Sequence, residues 1–98
     1  MLNQVVLVGR ITEIPEAEEK NKIIISVPRA FKNSDGEYDV DFIPVQLFKP
    51  LNESVKEYLT TGDLVGVKGR LQVIDKELLV VAEKLTFLSS KSKEEEED

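Results

Sequence analysis

The feature of this sequence that most constrains its fold is the stretch 41–48, DFIPVQLF, in which two unlike sets of side chains alternate. Successive side chains of a β-strand point to opposite faces, so the alternation predicts a strand. Its aliphatic face, which suits a protein core, consists of Ile43, Val45 and Leu47. Phe42 and Phe48 fall on the opposite face, which would meet solvent.

Phe42 and Phe48 admit two interpretations. They lie six residues apart, which on a strand spans about 20 Å and leaves room for more than one flat ligand. Proteins that hold single-stranded nucleic acid without sequence preference stack its bases on aromatic side chains. Phenylalanine is more often a core residue, so under the alternative a helix, a barrel closure or a dimer partner covers this face.

The composition narrows the class of protein. The 98 residues suffice for one domain with a modest core. The absence of cysteine and histidine excludes disulfides and thiol chemistry, and it removes the commonest general base and metal ligand. The sequence has neither a signal-peptide pattern nor the roughly 18 consecutive apolar residues of a membrane span. We therefore expect a cytoplasmic protein without cofactors or membrane contact.

The net charge of −6 argues against a nucleic-acid ligand. Residues 89–98 hold two lysines and five acidic residues, and the preceding part holds 11 basic and 14 acidic residues. Both parts are acidic, so a phosphate-binding surface must be a local patch. Residues 89–98 predict a disordered, solubilising tail, and the alternative is a segment that recruits a partner protein.

The first part of the chain predicts three strands. The first, within residues 2–14, is largely apolar on both sides, which fits burial on both faces or pairing with another subunit. The second, from about residue 22 to 31, forms a hairpin with strand 37–48 through the turn signal NSDG. Pro28 indicates an edge position or a bulge in the second strand, and a bulge shifts the alternation of side chains.

The rest of the chain predicts one helix and two strands. The apolar stripe of the helix, which should pack in the core, is Leu51, Val55, Tyr58 and Leu59. The inward residues of the fourth strand are Val65, Val67, Gly69, Leu71 and Val73. Its outward residues, a local basic strip or ordinary strand solubilisation, are Lys68, Arg70 and Gln72. A tight turn at 75–77 leads to the last strand, 78–88, in which Phe87 is expected in the core.

The predicted order of elements is β-β-β-α-β-β. This is the order of the OB-fold, an all-β, five-stranded Greek-key barrel with one short helix between strands 3 and 4. Two other five-stranded arrangements share the same order. The sequence thus predicts one OB-fold domain over residues 1–88 and an acidic tail over residues 89–98.

Four segments of the sequence resemble the bacterial single-stranded DNA-binding protein family. They are MLNQVVLVGRITEIPE, residues 29–33, DFIPVQLF and EYLTTGDLVGVKGRLQ. The resemblance spans nearly all of residues 1–88 and keeps the order of the segments. It implies an OB-fold, a homotetramer with a dimer as the alternative, and sequence-independent binding of single-stranded DNA in replication, repair and recombination. It also implies an association with the nucleoid.

The resemblance also implies which residues contact DNA. The stacking aromatics would be Phe31, Phe42 and Phe48. The basic contacts would be Arg10, Arg29, Lys32, Lys49, Lys68 and Arg70. Phenylalanine in place of the family's tryptophan at the first two aromatic positions keeps a flat face but offers less area, so each stack should be weaker. The basic side chains would neutralise phosphates and make the affinity fall with salt.

The sequence departs from the family pattern in three places. The family's long hairpin between the last two strands, which carries another aromatic, is reduced here to about residues 74–77 with Lys76 in that region. A smaller footprint on DNA should follow. The linker before the tail is almost absent, and the acidic tail lacks the apolar tip by which the family recruits replication and repair proteins.

Two functions therefore remain open. The first is a non-catalytic binding protein for single-stranded DNA, favoured by Phe42 and Phe48 together with the basic strip. The second is an OB-fold interaction module, similar to the primosomal relatives of the family, whose main partner is a replication protein. An enzyme has little support, because the carboxylate pair Asp39 and Asp41 lacks a third ligand.

Overall fold

The computed structural model describes residues 2–14, 21–49 and 51–90. Within them the chain forms five strands and one helix in the predicted order: β1 Val5–Glu13, β2 Lys22–Lys32, β3 Tyr38–Gln46, α1 Leu51–Tyr58, β4 Leu64–Ile74 and β5 Glu77–Ser89. Residues 91–98, most of the predicted acidic tail, lie outside the described residues. None of the helices in the described ranges has the length and apolar character to cross a membrane.

The five strands close into a barrel in the order β1-β2-β3-β5-β4, and β4 pairs back to β1. Neighbouring strands are antiparallel except β3 and β5, which run parallel. This parallel junction is short, with Val45 opposite Val80 and Gln46 opposite Val81. Because α1 connects β3 to β4, the predicted OB-fold is confirmed.

The barrel interior is filled by the faces that strand alternation predicts. Val45 and Leu47 are buried, and so are Val65 and Val67 of β4. The helix contributes Val55, and the other strands complete the core with Ile11, Ile23, Ile25 and Ala82. Burying an aliphatic side chain of this size stabilises the fold by about 1.5–3 kcal/mol. The core therefore fixes which face of β3 remains outside.

Four apolar side chains that the sequence pattern assigns to the core are exposed instead. They are Leu71, Val73, Phe87 and Tyr58, which are 43%, 63%, 55% and 74% exposed. Alternation predicts the face that a residue occupies, but it does not predict whether another layer covers that face. β4 and β5 pair as far as Ile74 and Glu77, and this end of the hairpin extends past the barrel. Tyr58 lies beside the row Leu51, Val55 and Leu59 that α1 packs against the barrel.

The turn between β4 and β5 consists of Asp75 and Lys76. Their φ angles are 50° and 68°, as the two central residues of a type I′ turn require. Only two residues thus separate the strands, which confirms the short hairpin that the sequence predicts there.

Candidate nucleic-acid interface

The outer face of β3 carries a row of exposed apolar side chains. Val40, Phe42 and Pro44 occupy alternate positions of the strand, and each is exposed. Phe48 follows two residues after the strand ends and is 47% exposed, while Phe42 is 64% exposed. Phe42 and Phe48 are therefore surface residues of the chain, which contradicts cover by a helix or by closure of the barrel, whereas cover by a dimer partner stays a prediction.

Tyr38 extends this row, and the sequence analysis missed it. Tyr38 is 54% exposed and precedes Phe42 by four residues, so both side chains lie on the same side of β3. The distance along the strand is about 13 Å. The alternation that identified Phe42 and Phe48 contains the same signal for Tyr38. We call Tyr38, Phe42 and Phe48 the aromatic row, and their side of the β2–β3 hairpin the front face.

The neighbouring strand β2 does not cover the aromatic row. Ser26 of β2 lies opposite Phe42, and its small side chain does not cover the ring. Lys32 lies opposite Tyr38, and its Nζ is 5.8 Å from the centre of the tyrosine ring. A cation at this distance is attracted to the ring face. The front face therefore combines aromatic surfaces with a positive charge at its outer end.

The other side of the hairpin, which we call the reverse face, is charged. Asp39 and Asp41 lie there because they alternate with the front-face residues. Arg29 of β2 donates from Nη2 to Asp41 Oδ1 at 2.9 Å and from Nε to Asp41 Oδ2 at 3.2 Å. Its Nη1 lies 3.8 Å from Asp39 Oδ2. Arg29 thus lies on the reverse face, away from Phe42, with its charge compensated by two carboxylates.

This ion pair shifts the titration of both partners. The hydrogen bond from Arg29, followed by the attraction of its charge, holds the pKa of Asp41 below its ordinary value of 3.8. The same hydrogen bond and the charge of Asp41 raise the pKa of Arg29. Asn33 also donates from Nδ2 to Asp39 Oδ1 at 3.0 Å. Arg29, Asp39 and Asp41 therefore each have a polar partner within the hairpin.

Phe31 is separated from the aromatic row. It is 85% exposed and lies in the irregular stretch where the β2–β3 register shifts between Pro28 and Lys32. Because Lys32 faces Tyr38, alternation assigns the adjacent Phe31 to the reverse face with Arg29. Among the described residues, no ring contact joins Phe31 to Phe42 or Phe48.

Arg70 lies on the same outer surface of the barrel as the aromatic row. Gln46 of β3 lies opposite Val81 of β5, and Val81 lies opposite Arg70 of β4. Arg70 is thus two strands from the outer face of β3, or about 10 Å across the sheet. It donates to Gln72 Oε1 at 2.9 Å and to Glu83 Oε2 at 3.4 Å. Glu83 partly compensates its charge.

The remaining basic residues of the predicted site are dispersed. Lys68 is exposed on β4 opposite Lys84, and it has no ion pair among the described residues. Lys49 Nζ lies 4.0 Å from Glu53 Oε1. Arg10 donates from Nη1 to the main-chain oxygen of Gly62 at 3.0 Å, which ties it to the turn before β4. Lys68 and Lys32 are therefore the two predicted contacts that have no carboxylate partner among the described residues.

Comparison with known families gives one match over most of the chain. Residues 2–78 match the single-strand binding protein family. Single-stranded DNA-binding protein 2 of Staphylococcus aureus strain Mu50 is 40% identical over 107 residues, which cover 94% of this chain and 76% of the relative. A protein of the same description from strain COL is 46% identical over 78 residues, covering 74% of this chain and 56% of the relative. The longer alignment exceeds the 98 residues of this chain, so the Mu50 relative contains residues without a counterpart here.

Solved structures of single-stranded DNA-binding proteins share the fold, and two of them illustrate it. A deletion mutant of the single-stranded DNA-binding protein from Thermus aquaticus superimposes with a TM-score of 0.69 at 24% identity. That match covers 93% of this chain and 52% of the Thermus chain, so this chain spans about half of it. A mitochondrial single-stranded DNA-binding protein from S. cerevisiae gives a TM-score of 0.66 at 23% identity, over 90% of this chain and 96% of the yeast chain.

Proposed function

The chain belongs to the single-strand binding protein family, and on this basis we propose that it binds and protects single-stranded DNA without sequence preference. Its role is that of a non-catalytic protein of DNA replication, repair or recombination. Because its bacterial relatives are named for binding DNA, we place this activity at the nucleoid in the cytoplasm.

The observation that carries this proposal is the exposed aromatic row on the front face. Tyr38, Phe42 and Phe48 are each about half exposed or more. Exposing aromatic surface to water is unfavourable, so a ligand that covers these rings gains binding free energy. A strand laid along β3 would cover these rings with bases. Stacking of this kind is independent of sequence, because every base has a flat face.

Basic side chains around the aromatic row would supply the phosphate contacts. Lys32 stands at the outer end of the aromatic row, Lys49 follows Phe48, and Arg70 lies two strands away. Lys68 lies further round the barrel opposite Lys84, and it has no ion pair within residues 2–14, 21–49 and 51–90. The chain has a net charge of −6, so we expect modest phosphate neutralisation and a correspondingly shallow salt dependence. Arg29 and Phe31 contribute less, because both belong to the reverse face.

Titration of the intact protein with fluorescent oligo-dT tests the proposal. We expect saturable binding to oligo-dT that weakens between low and physiological salt, and no comparable binding to a duplex of the same length. Equal affinity for single strand and duplex would indicate general electrostatic attachment. Absence of binding at low salt would contradict the proposal.

A second candidate function is an OB-fold module whose main partner is a replication or repair protein. It is favoured by the exposed side of the β4–β5 hairpin, where Leu71, Val73 and Leu78 are 43%, 63% and 66% exposed. Their cross-strand partners are aliphatic, since Leu71 lies opposite Val80 and Val73 opposite Leu78, and an apolar surface of this kind suits a protein partner. Failure to bind oligo-dT, combined with capture of a replication protein that is lost in Val73→Asp, would favour this function.

We also propose that the chain forms a homo-oligomer, a tetramer in preference to a dimer. Val6 and Val8 of β1 are 72% and 49% exposed on the outer face of the barrel, and Leu88 of β5 is 47% exposed. Gly66 lies opposite Val8 and close to Leu88, which leaves a shallow apolar surface between these strands. Light scattering at micromolar concentration should give a multiple of the 11.1 kDa chain, and Val6→Asp should reduce it. A monomeric wild-type protein would contradict this proposal.

A further inference from the structure

A cleft opens beyond Phe48, between α1 and the residue that precedes β2. Its volume is about 480 Å³, within the range of about 300–1,000 Å³ that is typical of small-ligand sites. The residues that line it are Asn21, Phe48, Lys49, Asn52, Glu53 and Lys56. Phe48 therefore belongs to two features at once, because it ends the aromatic row and forms one wall of the cleft.

Hydrogen bonds hold the floor of the cleft in place and leave one donor unused. Asn52 donates from Nδ2 to Asn21 Oδ1 at 3.0 Å, and its own Oδ1 accepts from the Glu53 main chain at 2.9 Å. The Asn21 main-chain oxygen accepts from the nitrogen of Leu47 at 2.6 Å. Asn21 Nδ2 has no partner among the described residues. It is thus a fixed donor beside Phe48, of the kind that recognises the edge of a base.

The charges around the cleft suit a phosphate group. Lys56 lies in the last turn of α1, is exposed, and has no ion pair in the described part of the chain. Lys49 interacts with Glu53 only at 4.0 Å, and both side chains are largely exposed, so this pair contributes little and is easily displaced. A phosphodiester between Lys49 and Lys56 would replace one weak carboxylate contact by two charge-assisted contacts.

We propose that this cleft binds one further nucleotide of the single strand that lies along the aromatic row. Its phosphate would contact Lys56 and Lys49, and its base would lie between Phe48 and Asn21 Nδ2. The proposal rests on the proposed function, since it extends the same strand past the end of β3. It adds Lys56 and Asn21, which the sequence analysis did not assign to the site.

The experiment compares two variants that change the net charge by the same amount. Lys56→Gln removes the cation from the cleft, and Ser54→Glu adds an anion on the same helix at an exposed position that does not line the cleft. Each variant is titrated at two salt concentrations with oligo-dT of increasing length. We expect Lys56→Gln to weaken binding of long oligomers about threefold and to reduce the salt slope by about 0.7. Ser54→Glu should change neither value, and Lys56→Gln should not affect oligomers too short to pass Phe48.

Two outcomes would overturn the cleft site and leave the proposed function intact. One is an equal effect of Lys56→Gln and Ser54→Glu, which would indicate a general charge effect. The other is an equal loss at every oligomer length. Failure of the wild-type protein to bind any oligo-dT would instead overturn the proposed function itself.

A third variant tests the site by a gain of affinity. Glu53→Gln removes the carboxylate that competes with a phosphate for Lys49, so we expect it to tighten binding of long oligo-dT about twofold. A weaker affinity in this variant, with unchanged thermal unfolding, would contradict the cleft site. Circular dichroism of all three variants establishes that α1 remains folded.

Discussion

The two faces of the β2–β3 hairpin are built from alternate residues of the same strands. They differ in whether their side chains already have a bonding or packing partner within the hairpin. On the reverse face, Arg29 is bound by Asp41 and Asp39. On the front face, Tyr38 and Phe42 expose about half of their surface or more. A charged surface whose groups are already ion-paired presents few unpaired charges to a ligand. An uncompensated aromatic surface gains free energy whenever a flat ligand covers it.

Among the substitutions that compare the two faces, Phe42→Ala is expected to weaken binding to oligo-dT most. Loss of its ring should weaken binding to oligo-dT by about 1–3 kcal/mol. The free energy of unfolding should change by no more than about 0.5 kcal/mol, because the side chain is exposed. Titration and thermal unfolding of the same preparation measure the two quantities. A large loss of stability with unchanged affinity would show that Phe42 is structural.

Tyr38→Ala and Phe31→Ala form a matched pair that tests which face the strand follows. Each removes one exposed aromatic ring from the outer part of the same hairpin. We expect Tyr38→Ala to cost about 1 kcal/mol of affinity for oligo-dT, and Phe31→Ala to cost less than about 0.5 kcal/mol. The opposite order would mean that Phe31 contacts the DNA, as the family resemblance implies, and that Tyr38 does not.

Asp41→Asn is expected to have the smallest effect, and that effect depends on pH. The pKa of Asp41 is lowered in the folded state, so its ion pair stabilises the hairpin above the ordinary carboxyl pKa. This stabilisation is lost as the pH falls through the lowered value. Wild type should therefore exceed Asp41→Asn in stability at neutral pH, and the difference should vanish in acid. Denaturant unfolding at several pH values measures it, and a difference that grows on acidification would contradict the ion pair.

Local alternation made much of this fold predictable. Val45 and Leu47 inside, and Phe42 and Phe48 outside, follow from a spacing of two residues that does not depend on the rest of the chain. Tyr38 obeys the same rule and could have been predicted with them. The resemblance agreed on Phe42 and Phe48 and added Phe31, which lies in an irregular stretch of β2.

The remaining features depend on contacts that a linear pattern does not contain. The side on which Arg29 lies was decided by its ion pair with Asp41, across a register shift that alternation alone does not resolve. The exposure of Leu71 reflects the lack of a covering layer over the end of the β4–β5 hairpin. The cleft next to Phe48 arises where α1 meets the residue before β2, two segments that are far apart in the sequence.

The short parallel junction between β3 and β5 has a consequence for how the molecule moves. Only two residue pairs define the register there, against eleven between β4 and β5, so the barrel should open at this junction before it unfolds elsewhere. The amide protons that bond across this junction, between β3 and β5, should then exchange with solvent earlier than those that bond between β4 and β5. A strand that spans from the aromatic row on β3 to Arg70 on β4 crosses this junction. Bound DNA would therefore act as a clamp, slowing hydrogen exchange there and raising the melting temperature as its concentration rises above the dissociation constant.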